Sequence, residues 1–113
     1  MVYSLKDEMR QTKEYIKWFE WLKDKAAQAR ILVRAERLKL GYPGDVKHLG
    51  GGLYELRIFY GPGYRLYYCR VKSALILLLL GGDKSTQESD IVLARKILQR
   101  ETGNEQSNDH RGI

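Results

Sequence analysis

The sequence predicts an α+β domain: a mostly antiparallel curved sheet with an N-terminal helical hairpin and a C-terminal helix, the helices segregated to one side. Three observations carry that reading. Strand-like, helical, strand-like and helical periodicities follow one another along 113 residues, a length that fits one domain. Two strand-like runs flank Gly61-Pro62-Gly63, a tripeptide suited to a short hairpin loop. The run Ala74–Leu80 is almost continuously apolar, as a central strand covered on both faces should be.

Each element has its own warrant. Val2–Arg10 has the mixed polarity of an edge strand. Thr12 is a good N-cap for a helix that puts Tyr15, Phe19 and Leu22 on one face. Asp24 breaks that helix and caps a second, in which Ala27, Ile31, Ala35 and Leu38 recur at helical spacing. Gly41 ends the second helix near Leu40, with Pro43 just beyond. So brief a connection predicts a hairpin of helices. Val46–Leu49 reads as a short strand and Gly50-Gly51-Gly52 as a turn. Ser85 and Glu88 are spaced as a capping box for a last helix bearing Ile91, Ala94 and Leu98. The domain is expected to span residues 1–101, and the polar, patternless stretch 102–113 is expected to be a disordered tail.

The hairpin is the chemically informative part. If Tyr60 pairs with Tyr64, then Leu56, Ile58, Leu66 and Tyr68 share a core face. Phe59, Arg57, Arg65 and Tyr67 take the other face, with the two arginines as diagonal neighbours. Arginines among aromatics on an exposed sheet face make a surface for phosphates and bases.

Composition narrows the function. The net charge is +6, which favours nucleic acid, an anionic membrane or an acidic protein as partner. Cys69 is the single cysteine, so no internal disulfide forms. The N-terminus lacks a signal pattern, and Ala74–Leu80 is too short to span a membrane. A cytoplasmic protein without a membrane partner is the expectation. Of the two histidines, His48 sits at a strand end before glycines and His110 in the expected tail. No Cys/His cluster has metal-ligand spacing, and Gly50-Gly51-Gly52 lacks the Lys-Ser/Thr ending of a phosphate loop. No metal and no cofactor are expected.

Cations and phenols remain. RNA is cut without metal when its 2′-hydroxyl attacks the adjacent phosphate. That reaction needs a base, an acid, and positive charge on the phosphorane. Arginine supplies charge but stays protonated. Lysine serves as base or acid where neighbouring cations depress its pKa.

Several motifs, in order, resemble the RelE/ParE superfamily of toxins from type II toxin–antitoxin pairs, and its HigB-like "addiction module killer protein" branch most of all. They are Trp18-Phe-Glu-Trp-Leu22, Ala29-Arg-Ile31, Leu40-Gly-Tyr-Pro-Gly-Asp-Val-Lys47, Glu55-Leu-Arg57, Tyr60-Gly-Pro-Gly-Tyr-Arg65 and Gly81-Gly-Asp-Lys-Ser85. The resemblance implies a RelE-like fold and a ribosome-dependent endoribonuclease of messenger RNA that inhibits translation. It implies a cognate antitoxin, commonly a small helix-turn-helix protein. By position it makes Arg65 the holder of the scissile phosphate, Arg57 an electrostatic or base residue, and Lys84 a basic residue after the final strand. Where the family often carries a tyrosine near the last helix start, this chain has Asp90.

Tyr67 and Tyr60 are the expected RNA-stacking residues. Arg30, Arg34 and Arg37 recur on the second helix as either a solvated face or a contact for RNA or an acidic antitoxin segment. Arg65 also reads as a strand residue paired with Glu55 or Asp83. Two other functions stay open: a ParE-like inhibitor of DNA gyrase, and an inactive remnant that only binds antitoxin.

Overall fold

The computed structural model describes residues 8–72 and 74–111, with side chains as far as 103. A five-stranded sheet runs in the order β1-β5-β4-β3-β2, where β1 is Glu8–Gln11, β2 Val46–Gly50, β3 Leu53–Ile58, β4 Tyr64–Val71 and β5 Leu75–Asp83. The β2–β3, β3–β4 and β4–β5 pairings are antiparallel, and β1 joins β5 in parallel, which makes the sheet mixed. The helices are α1 (Lys13–Glu20), α2 (Lys25–Lys39) and α3 (Gln87–Arg111), the last preceded by a single 3-10 turn at Lys84–Thr86. The expected first strand survives as edge strand β1, and the part of it before Glu8 lies outside the described residues. The stretch from 102 read as a disordered tail continues the backbone of α3 as far as Arg111, and its side chains beyond Gly103 lie outside the described residues.

Local chemistry fixes the helix ends. The Thr12 hydroxyl accepts the Tyr15 N–H and donates to the Leu79 carbonyl at 2.7 Å, so one residue caps α1 and pins it to β5. Asp24 accepts the Ala27 N–H at 3.1 Å and starts α2. At the other end, Tyr42 N–H reaches Arg37 O and Gly41 N–H reaches Leu38 O, with Gly41 at φ +92°. This is the Schellman arrangement, and a left-handed residue at that point favours glycine. The expected Ser85/Glu88 box is not the one that forms. Asp83 and Thr86 make the reciprocal cap, two residues earlier, because the chain enters a 3-10 turn before α3.

Helices cover both faces of the sheet, which corrects the one-sided arrangement predicted from sequence. On one face Tyr15, Ala27, Ile31 and Leu38 from α1 and α2 pack on Leu56, Leu66, Tyr68, Ile76 and Leu78. On the other, Ala94 and Ile97 of α3 pack on Leu53, Tyr67, Cys69, Leu79 and Leu80. The cause is legible in β4, whose first six residues are all buried. A strand buried on alternate residues needs one cover; a strand buried continuously needs two.

Arg100 on α3 forks onto Glu14 on α1. The guanidinium holds the Glu14 carboxyl at about 2, below its ordinary 4.5. A depressed folded-state pKa gives stability that is complete above the ordinary value and lost as the pH falls through the folded one. Glu14→Gln is therefore expected to lower stability slightly at neutral pH and to shrink the loss between pH 4.5 and about 2. Urea titrations at a series of pH values check this, and an unchanged acid limb would refute it.

Candidate functional site

The β3–β4 hairpin builds the site. Its register pairs Ile58 with Tyr64, Arg57 with Arg65, Leu56 with Leu66 and Glu55 with Tyr67. The sequence reading carries the pairing too far toward the tip, since Tyr60 does not pair with Tyr64. The loop instead runs from Phe59 to Gly63, tightened by Gly63 N–H donating to Tyr60 O at 3.0 Å, with Gly61 and Gly63 both at positive φ. The register slips by an even step, so the paired side chains from Leu56 to Tyr68 keep their expected faces, while Phe59 leaves the strand and joins the loop. Arg57 and Arg65 move from diagonal neighbours to a direct cross-strand pair, where Cβ atoms stand about 4.5–5.5 Å apart.

Two like charges so placed repel, and each arginine has its own carboxylate. Arg57 Nη2 is 3.0 Å from Asp45 Oδ1. Arg65 Nε is 4.0 Å from Glu55 Oε2, and its Nη1 donates to Gly63 O at 2.7 Å. The Arg57 side chain is 33% exposed, whereas that of Arg65 is 11% exposed. Arg65 is thus a nearly buried cation oriented through Nη1 by Gly63 O, while its buried Nε faces Glu55 at ion-pair distance without a hydrogen bond. Lys84 stands beside it. A Cβ built on Gly63 would lie 3.6 Å from Lys84 Cβ and 2.9 Å from Arg65 Nη1. The fold therefore gathers Arg57, Arg65 and Lys84 at one end of the sheet.

The phenols are placed differently from the sequence reading. Tyr67 shares the arginine face, but α3 covers that face and Tyr67 is fully buried. It cannot stack on a base there. Burial first, and then the Glu55 charge, push its pKa well above the usual phenol value, so it does not ionise near neutrality. Tyr60 is half-buried, with the Arg30 guanidinium over its ring at 4.4 Å. Arg34 points inward and donates to Arg57 O at 2.9 Å and Pro43 O at 2.8 Å, so it is a clamp on the hairpin base rather than an exposed contact. Arg30 and Arg37 remain exposed. His48 stacks on Tyr54 at 4.6 Å, a packing role.

Two carboxylates belong to this neighbourhood although sequence reasoning gave them no role in the chemistry. Glu55 is fully buried and accepts the Gln87 Nε2–H at 2.8 Å, which ties α3 to the hairpin. Its position two residues from Arg57 in a strand already placed it on the arginine face. Asp90 stands over Gly82, the residue opposite Arg65, and accepts the Thr86 hydroxyl. Burial raises its pKa, with the Asp83 charge adding to the rise and the Thr86 bond opposing it. Among the described residues no group of three or more His, Cys, Asp or Glu side chains is placed to hold a metal ion. Burial pushes the Cys69 thiol up to about 11, which makes it inert.

A cation-lined sheet end on a small mixed-sheet α+β scaffold is thus the structural class. The chain belongs to the family described as Phage derived protein Gp49-like (DUF891), which matches residues 17–101. That is a RelE-like toxin family of toxin–antitoxin systems, and membership implies an antitoxin partner. An uncharacterized protein of Haemophilus influenzae is 43% identical over 96 residues, covering 85% of this chain and 96% of its own length. Among the described residues no helix is long and apolar enough to cross a membrane.

Proposed function

We propose that this protein is the toxin of a type II toxin–antitoxin system and acts as a metal-independent, ribosome-dependent endoribonuclease of messenger RNA. On this reading it belongs to the HigB-like branch, has the RelE-like curved sheet and N-terminal helical hairpin, and works in the cytoplasm. Residues 1–101 form the toxin domain and 102–113 a polar tail, and a small helix-turn-helix antitoxin neutralises it. The observation that carries the reading is the Arg57–Arg65 cross-strand pair beside Lys84. A phosphorane needs positive charge held in place before the reaction, and Arg65 is held by Glu55 and Gly63.

Within this site Arg65 Nη2 contacts the scissile phosphate and Arg57 shares its developing charge. Lys84, exposed at the rim, serves as acid or base toward the sugar oxygens. Asp90, over Gly82 opposite Arg65, is the carboxylate placed to take a proton, and burial raises its pKa from the ordinary value. Tyr60, held by Arg30, is the tyrosine at the hairpin end for contact with a base.

The test is inducible expression of wild type and Arg65→Ala, with growth and messenger-RNA 5′ ends followed in the same cells. Wild type is expected to arrest growth and create new in-frame ends on translated messages. Arg65→Ala is expected to reduce cleavage by roughly 100- to 1,000-fold, the usual effect of removing one transition-state charge donor. Growth arrest without new ends would move the protein to a gyrase-inhibitor reading. No arrest, with folded protein present, would leave antitoxin binding alone.

A further inference from the structure

Phe59 is the most exposed large apolar side chain among the described residues, at 82%. It does not stand alone. A groove of about 600 Å³ lies between α2 and the hairpin, with Ala26, Ala29, Val33, Ile58 and Phe59 as its apolar wall. Val33 is itself 49% exposed on a helix whose core face is already filled. Scattered apolar side chains on a surface need no explanation, but an apolar groove with a rim of one charge does. The rim here is Arg30, Arg34 and Arg37. Arg34 donates to two backbone carbonyls and feels the Asp45 charge in its favour and the Arg37 charge against it, while Arg30 covers Tyr60 and Arg37 is exposed. The rim is therefore a cluster of like charges that an anionic partner would relieve.

We propose that this groove is a docking site for an acidic, amphipathic segment of the antitoxin, with an apolar side chain seated against Phe59 and Val33 and carboxylates facing Arg30 and Arg37. The proposal rests on the toxin–antitoxin reading above. Charge complementarity selects an acidic occupant. The aliphatic wall selects protein over RNA. Single-stranded RNA is held by flat aromatic platforms, whereas this wall is mostly alanine, valine and isoleucine. Helix-in-groove recognition by apolar anchors with flanking charge fits such a surface. The site is also separate from the reacting cations. Ile58 faces the groove, so by strand alternation Arg57 and Arg65 project from the opposite face of the sheet.

A phage-displayed library of short random peptides, selected on the full chain, tests this. Enriched peptides are expected to be acidic with aromatic or aliphatic anchors. Their affinity is expected to fall by roughly tenfold or more in Phe59→Ser and in Arg37→Glu, and to weaken with salt. Phe59 and Arg37 are both exposed, so these variants should fold, and circular dichroism checks that they do. Three results would overturn the proposal: no enriched peptides, enriched peptides that are basic, or binding indifferent to both substitutions. A fourth would too: labelled oligouridylate binding wild type and losing affinity in Phe59→Ser makes the groove an RNA surface. Peptide binding is read without any nuclease activity. Wild type that binds acidic peptides at Phe59 yet cleaves no message would sink the nuclease reading and leave the groove standing.

Discussion

Gly81→Val is expected to cost about 3 kcal/mol or more, enough to remove a large share of the stability of a domain this size. Gly81 is opposite Leu66 on the face covered by α1. A Cβ added there would fall 2.1 Å from Trp18 Cε3, where no atom fits. The indole is held between Tyr15 at 5.6 Å and Tyr64 at 6.3 Å between ring centroids, so it can yield only toward the open side shared with Trp21 and Leu22, at the loss of those ring contacts. Gly81→Ala should share the effect at smaller size. The cause is separable by a double-mutant cycle: Trp18→Leu, costly alone, should restore part of the loss in the Gly81→Ala background. Urea denaturation of the four proteins gives the coupling. Simple additivity would mean that strand conformation, and not the indole, demands glycine at 81.

Gly81-Gly82 also shows where the sequence misleads. The apolar run predicts a strand over Ala74–Leu80, stopping short of the two glycines. It continues to Asp83. The two glycines are small for different neighbours on opposite faces: Gly81 makes room for Trp18, and Gly82 for Asp90, whose Oδ2 would be 1.9 Å from an added Cβ. Nothing local in the sequence distinguishes a glycine that turns the chain from one that admits a ring from a distant helix.

Elements set by local chemistry were legible. The Thr12 and Asp24 caps, the Gly41 stop and the core stripe of α2 are short-range patterns, and the structure places all of them as expected. The parity of the hairpin was legible too, because alternation survives an even slip in register. The loop length was not, since Phe59 and Tyr60 look as strand-like as the residues before them. The role of Tyr67 was misplaced for a longer-range reason. Whether a sheet face is open depends on where a helix some twenty residues later lies, and α3 crosses the face that alternation alone left exposed. The arginine cluster was visible as a pattern. Its carboxylate supports were visible only as neighbours, since Glu55 becomes interpretable once Gln87 and Arg65 are seen to converge on it.

Glu55→Ala is expected to cost about 3–5 kcal/mol, the range for removing one partner of a buried ion pair. Glu55 is fully buried and Arg65 is 9% exposed, so the arginine would be left in a dry site without a counter-charge. The amide donated by Gln87 would lose its acceptor as well. Glu55→Gln is the more informative change. It keeps the shape and an acceptor for Gln87 while removing the charge that faces Arg65 Nε. The folded protein should survive at lower stability, and on the nuclease reading message cleavage should drop roughly 100-fold, because a displaced guanidinium no longer meets the phosphate. The compensating control is Glu55→Met with Arg65→Met. Replacing a buried ion pair by apolar groups of similar size is often neutral or stabilising, so this double variant should recover stability relative to Glu55→Ala and remain inactive. That combination would mean the pair is retained for the position it gives Arg65 and not for the stability of the sheet. A double variant as unstable as Glu55→Ala would assign Glu55 to the fold, and a fully active Glu55→Gln would remove it from the site.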